Sequence, residues 1–269
     1  MISLSLAIVK DSFETKQRGS IIAVLQSFTI IGPVIAPLLG AAVLMVASWR
    51  YVFMVLFLIT ILEVVLSIMY QETIPQNEVN KGSVIATFGR IFVVAKNKKF
   101  SLILIIGSLF FAAFFAYLAT GSFVYEEYFG LSETEFSLYF ALNALLSLSG
   151  PTLSVVMQRK LSMRTSFNIM FVFGFISTAC VFIFGHLSPI TFFIAFVIYA
   201  ATNSTFRPYA TNILLDVHDG DTGSATALIN FIFTIFGALG MAVGSIPFTD
   251  YVLCVAISML IFIGMAAIV

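Results

Sequence analysis

The chain has 269 residues, 60% of them hydrophobic, and its 13 basic and 13 acidic side chains balance to a net charge near zero. With a mean hydropathy of +1.08, it has too little polar surface for a soluble domain, and no basic excess with which to bind nucleic acid. Eight apolar runs, seven of them without Asp, Glu, Lys or Arg, separate short charged stretches, so the fold class is all-α integral membrane, with the lipid bilayer as its first partner. A β-barrel would alternate in segments of about ten residues, whereas these runs are apolar on every face.

The N-terminal MISLSLAIV is apolar but spans only about 14 Å as a helix. It lacks the basic region and cleavage site of a signal peptide and reads as the tail of a span whose beginning is missing, so the chain is expected to be truncated at its front. Full spans follow at 20–46, 51–70, 100–124, 136–157, 165–185, 188–206, 222–248 and 251–269, each close to the ~20 residues needed to cross ~30 Å of hydrocarbon. Basic residues cluster in alternate gaps: Lys10, Lys16 and Arg18; Lys81, Arg90, Lys96, Lys98 and Lys99; Arg159, Lys160 and Arg164. Those gaps are assigned to the cytoplasm. The opposite set holds only Arg50, and residues 125–135 carry Glu126, Glu127, Glu133 and Glu135 without a base. The gap 215–221 is cytoplasmic by parity despite Asp216, Asp219 and Asp221, because acidic residues weigh little in this rule.

Residues 71–99 form the one long polar gap and divide the chain into 1–70, a cytoplasmic linker 71–99, and a six-span portion 100–269. Within the linker, 84–95 is either a short interfacial amphipathic helix or a plain solvated segment. Six spans divide into two sets of three, a count that fits the repeats of secondary transporters. Ser132-Glu133-Thr134-Glu135 has capping-box spacing and is predicted to start the next helix. Gly240 and Gly244, one turn apart, allow a neighbouring helix to approach closely.

No phosphate-binding glycine loop, HExxH motif or Cys/His cluster is present, so no cofactor, no metal site and no enzyme activity are predicted. Cys180 and Cys254 lie in apolar runs and are read as small hydrophobes; His186 and His218 are read as solvated loop residues. Asn143 and Asn230 are expected to hydrogen-bond between helices. Two ionisable residues remain at depth, Glu63 and Arg207, each costing ~2.5–3.5 kcal/mol on insertion scales. Arg207 is buried to that extent only if the helix of 188–206 continues through RPYATNILL.

Gly32-Pro33-Val34-Ile35-Ala36-Pro37-Leu38-Leu39-Gly40-Ala41, followed by Ser48-Trp49-Arg50-Tyr51-Val52-Phe53, resembles the antiporter motif on the fifth span of drug exporters in the major facilitator superfamily and the start of their sixth. The family pattern usually closes with two glycines, and Ala41 stands at the second. AIVKDSF (7–13) is similar to the end of the fourth span and QETIP (71–75) to the exit of the sixth; 116–145 and 223–240 are similar to the bicyclomycin-resistance type. The resemblance covers the end of span four through span twelve of a twelve-span bundle, and implies eight full helices plus a stub.

What it implies in function is proton-coupled antiport, driven by the proton gradient: a drug-like molecule leaves as protons enter, as in multidrug efflux and antibiotic resistance. The full-length protein is expected to be a monomer in the bacterial cytoplasmic membrane. Gly32, Pro33, Pro37 and Gly40 would pack helices closely. Spans 100–124 and 188–214 would line the cavity with Tyr117, Thr120, Tyr199, Asn203 and Ser204 amid Phe-rich walls suited to amphiphilic, often cationic, drugs, and Arg207, on the tenth span, would bind an anionic group or counter the charge of a released proton. Glu63, on the peripheral sixth span, is the weaker proton-carrier candidate. An importer of the same superfamily and a non-transporting remnant stay open as alternatives.

Overall fold

A computed structural model describes residues 35–36, 39–40, 42–69, 93–217 and 222–269. The chain divides into two compact units, Met1–Gly82 and Ser83–Val269. Among the described residues, seven helices are long and apolar enough to cross a membrane: Trp49–Met69, Lys98–Tyr128, Glu133–Lys160, Met163–Phe184, Pro189–Leu215, Ser224–Gly244 and Tyr251–Ile268. Most of the run 20–46, including Gly32, Pro33 and Pro37, lies outside the described residues.

In the first unit, α1 (Trp49–Met69) has no buried residue. Its start is ordered locally: Trp49 meets Phe53 edge-on at 5.8 Å, and the Arg50 guanidinium lies 4.7 Å from the centre of the Trp49 ring. A side chain added at Gly40 would meet nothing within 4 Å, so the close helix approach expected there is not made among the described residues.

The second unit contains α2 (Lys98–Ser122), α3 (Glu133–Ser147), α4 (Ser149–Lys160), α5 (Met163–Phe184), α6 (Pro189–Val217), α7 (Thr222–Gly244) and α8 (Tyr251–Ile268). Asn97 caps α2, accepting from the amides of Lys99 and Phe100. The expected end of this span near 124 is overrun, because Phe123–Tyr128 continues it as a π-helix. The amide of Phe129 reaches the carbonyl of Val124 at 3.2 Å, and Tyr125 is held inward by stacking on Tyr139 at 4.9 Å. Gly130, at φ +69°, then reverses the chain in a conformation that disfavours other residues. The predicted capping box forms: the Ser132 amide donates to Glu135 Oε2 at 2.8 Å and the Glu135 amide to Ser132 Oγ at 3.3 Å.

The expected span 136–157 is present as Glu133–Lys160, whose helix is interrupted at the single residue Leu148 into α3 and α4. Pro151 has no amide to give to the carbonyl of Ser147, and it sits in the first turn of α4, where that loss costs least. Helix α6 does the reverse. It continues through Pro208 to Val217, beyond the run ending at 206.

Helix α2 is the centre of the unit, packing most extensively on α7, then on α8 and α6. The glycine pair makes the first contact possible. A Cβ at Gly240 would overlap the carbonyl of Ala112, and one at Gly244 would overlap that of Ala116. Thr120 Oγ1 lies 2.9 Å from the carbonyl oxygens of both Ala116 and Gly244, tying the same two helices. On the other side, Ser177 Oγ donates to the Ala195 carbonyl at 2.5 Å and joins α5 to α6.

At one end of the bundle three connections meet, as alternating helices require. His186 Nε2 lies 2.8 Å from Asp250 Oδ2, Tyr251 donates to Glu127 at 2.9 Å, and Tyr251 stacks on Phe123 at 5.3 Å. His186 is therefore a half-buried pairing residue rather than the solvated loop residue expected; the sequence distance to Asp250 hid its partner. His218 lies outside the described residues.

The α2–α7 contact gives a direct check. Gly240→Val is expected to abolish stable folding in detergent, since backbone must move to admit the side chain, whereas Gly264→Ala, with nothing within 4 Å of its Cβ, leaves the unfolding midpoint unchanged. Fluorescence-detected size exclusion after heating reads both.

Candidate substrate pathway

Arg207 lies ten residues before the end of α6 at Val217, roughly 15 Å along the helix. Its guanidinium carbon is 4.8 Å from the ring centre of Phe111 on α2 and 5.6 Å from that of Phe233 on α7. The two rings are themselves edge-to-face at 5.2 Å and buried, while Arg207 is exposed. The side chain thus leans across the α2–α7 seam instead of stretching along α6 towards the helix end. Among the described residues of this unit no carboxylate pairs with it. Each cation–π contact recovers ~0.5–2 kcal/mol, so the two together offset part or all of the ~2.5–3.5 kcal/mol cost of arginine at depth.

The other expected lining residues sit in helix contacts in this conformation. Tyr199 is fully buried, donates to the Phe110 carbonyl and stacks on the Phe110 ring at 5.2 Å. Tyr117 is buried and stacks on Phe196 at 3.8 Å. Thr120 is occupied by the α2–α7 contact described above, and Asn203 is buried. Ser204 is pressed against Gly150 of α4, where a Cβ would overlap its hydroxyl; its Oγ donates to the Ala201 carbonyl at 2.8 Å. Of the six, Arg207 alone is exposed. The rings that hold it, Phe111 and Phe233, were not singled out from the sequence, because nothing local marks two among 30 phenylalanines.

A second polar feature lies on the outward side of this level. The hydroxyls of Tyr117 and Tyr125 and Nδ2 of Asn143 are buried and turn towards one another without completing a hydrogen bond. Nδ2 of Asn143 thus has no partner, and Asn230 lies on an exposed face of α7. Glu63 is exposed on α1. Two apolar grooves, about 380 Å³ between α4, α5 and α6 and about 530 Å³ between α3 and α6, are not lined by Arg207, Phe111 or Phe233.

Residues 1–241 match the family model described as Major Facilitator Superfamily. The chain is 26% identical over 243 residues to an uncharacterised MFS-type transporter, YdgK, of Bacillus subtilis (strain 168), a match covering 88% of this chain and 60% of that protein. It is 23% identical over 185 residues to a bicyclomycin resistance protein homolog of Haemophilus influenzae (strain ATCC 51907 / DSM 11121 / KW20 / Rd), covering 65% of this chain and 44% of that protein. The chain spans less than two thirds of the length of these relatives.

Tyr199→Phe separates packing from pathway roles. Losing the bond to the Phe110 carbonyl is expected to cost about 1 kcal/mol, seen as a lower unfolding midpoint in detergent, with ligand affinity unchanged. A selective loss of affinity at unchanged midpoint would instead make Tyr199 a ligand contact.

Proposed function

The chain belongs to the major facilitator superfamily, and on that premise we propose that it acts in proton-coupled efflux of drug-like small molecules by alternating access about a site near the bilayer midplane. It is a multi-pass membrane protein of a transporter family. The observation that carries the proposal is the guanidinium of Arg207 inside a span, held on two aromatic rings and left without a carboxylate among the described residues of its unit. An ionisable group at such depth is retained for function or is costly for nothing. The name of the Haemophilus relative supports export of an antibiotic-like molecule over uptake.

In this reading Arg207 meets the substrate, and Tyr117, Thr120, Tyr199, Asn203 and Ser204 belong to the walls that rearrange around it. Gly32, Pro33, Pro37 and Gly40 pack the antiporter-motif helix, and Glu63 is a peripheral carboxyl that could carry a proton. The portions 1–70 and 100–269 belong to two different halves of the bundle, joined by 71–99. Energy comes from the proton gradient, the acting unit is a monomer, and the membrane is the bacterial cytoplasmic membrane.

Dye or antibiotic accumulation tests this. Expression is expected to lower accumulation only while the gradient stands, and a protonophore to restore it; expression that raises accumulation would make the protein an importer. Arg207→Ala is expected to abolish the effect and Glu63→Gln to leave most of it. Equal loss in both would make Glu63 part of the proton pathway.

A further inference from the structure

The aromatic faces nearest Arg207 are the kind of surface that would recognise a cationic amphiphile, yet the protein's own cation already occupies them. Phe111 and Phe233 come from α2 and α7, Arg207 from α6, so three helices converge on one positive charge. A second cation arriving here would meet like charge over the two rings that Arg207 already covers. An oxyanion would meet the opposite: a planar guanidinium, oriented by the rings beneath it and exposed, with a fork of donors matched to carboxylate, sulfonate or phosphate.

The acidic residues of this unit whose side chains are described do not change that balance; Asp216, near the end of α6, is outside them. Glu126, Glu127, Glu133 and Glu135 lie around the turn joining α2 to α3, and Asp250 at the start of α8. Glu135 is engaged in the capping box, Glu127 accepts from Tyr251, and Asp250 pairs with His186. All stand at the opposite end of α2 from Lys98. Arg159, Lys160 and Arg164 add positive charge around the turn between α4 and α5.

We propose that the molecule handled by this protein carries an oxyanion on an aromatic or apolar body, and that Arg207, oriented by Phe111 and Phe233, is the residue that selects it. The inference rests on the reading of Arg207 as part of the transport pathway, and it narrows drug-like molecules to anionic or zwitterionic ones. A permanently cationic compound is excluded at this level.

The test is equilibrium binding to the purified full chain in detergent, by calorimetry at neutral pH, of three probes that share one ring system: naphthoate, naphthamide and naphthylmethylammonium. Naphthoate is expected to bind at least about tenfold more tightly than either of the others, the size of one charge-assisted contact. Arg207→Gln is expected to erase that preference, and an unfolding midpoint in detergent equal to that of the parent shows that the variant is folded. Arg207→Lys, which keeps the charge but not the fork, retains the preference in reduced form. Binding of the ammonium as tightly as the carboxylate, absence of carboxylate binding, or full carboxylate affinity in Arg207→Gln would each overturn the proposal. Binding needs no gradient, so the two readings fail separately. Protonophore-insensitive accumulation with an intact carboxylate preference removes the efflux reading alone, and gradient-driven export with a preference for the cation removes this one.

Discussion

Hydrocarbon offers no partner to a backbone amide or carbonyl, so a chain crossing it satisfies those groups within its own helices and packs the helices by shape. The rest of the unit depends on the way α2 meets this constraint. Alanines at 112 and 116 and glycines at 240 and 244 bring two backbones together where no side chain fits between them, and Thr120 adds a hydroxyl shared between carbonyls of both helices. With α2 and α7 fixed in this way, Phe111 and Phe233 are fixed too, and the position of the guanidinium above them follows. Among the described residues of this unit, the charge is held by packing on these rings rather than by a carboxylate.

How much of this was legible depends on how local each cause is. The capping box at Ser132 and Glu135 involves residues three apart and could be read directly, as could the apolar length of seven spans. The close approach at Gly240 and Gly244 was legible as a pattern, although its partner helix was not. The breaks and extensions were harder. Pro151 and Pro208 have the same missing amide; one stands at a helix start and the other in a helix interior, and only the packing around them decides which. Tyr125 stacks on Tyr139, which draws the end of α2 into π-helical geometry, a contact with no signature in FVYEEY itself.

The candidate site shows the same division. An arginine in an apolar stretch announces itself, because a charge at depth is costly. The residues around it do not. Tyr117, Thr120, Tyr199, Asn203 and Ser204 are polar groups on two expected lining helices, and polarity alone could not separate groups facing an opening from groups spent on contacts. The structure spends Tyr199 on the Phe110 carbonyl and Ser204 on the fit to Gly150. His186 erred in the opposite direction, since Asp250, 64 residues away, is visible only once the connections are brought to one end.

Where the unit can move follows from where its backbone bonding is thin. The α2–α7 contact is tight along two turns and admits no side chain, so sliding there would require both helices to separate. Three places lack regular bonding: the turn at Leu148 between α3 and α4, the carbonyl of Ser204 that faces Pro208 without an amide to accept from, and the π-helical end of α2. Kinks in helices concentrate at such points. Two of them touch one another, because Gly150, just past the turn, packs on Ser204. A bend of α6 at Pro208 would therefore be felt both by the α3–α4 turn and by the guanidinium of the preceding residue. A ligand can drive such a change only as far as it binds the two arrangements differently, and a guanidinium beside the bend, without a carboxylate among the described residues of its unit, is placed to supply that difference.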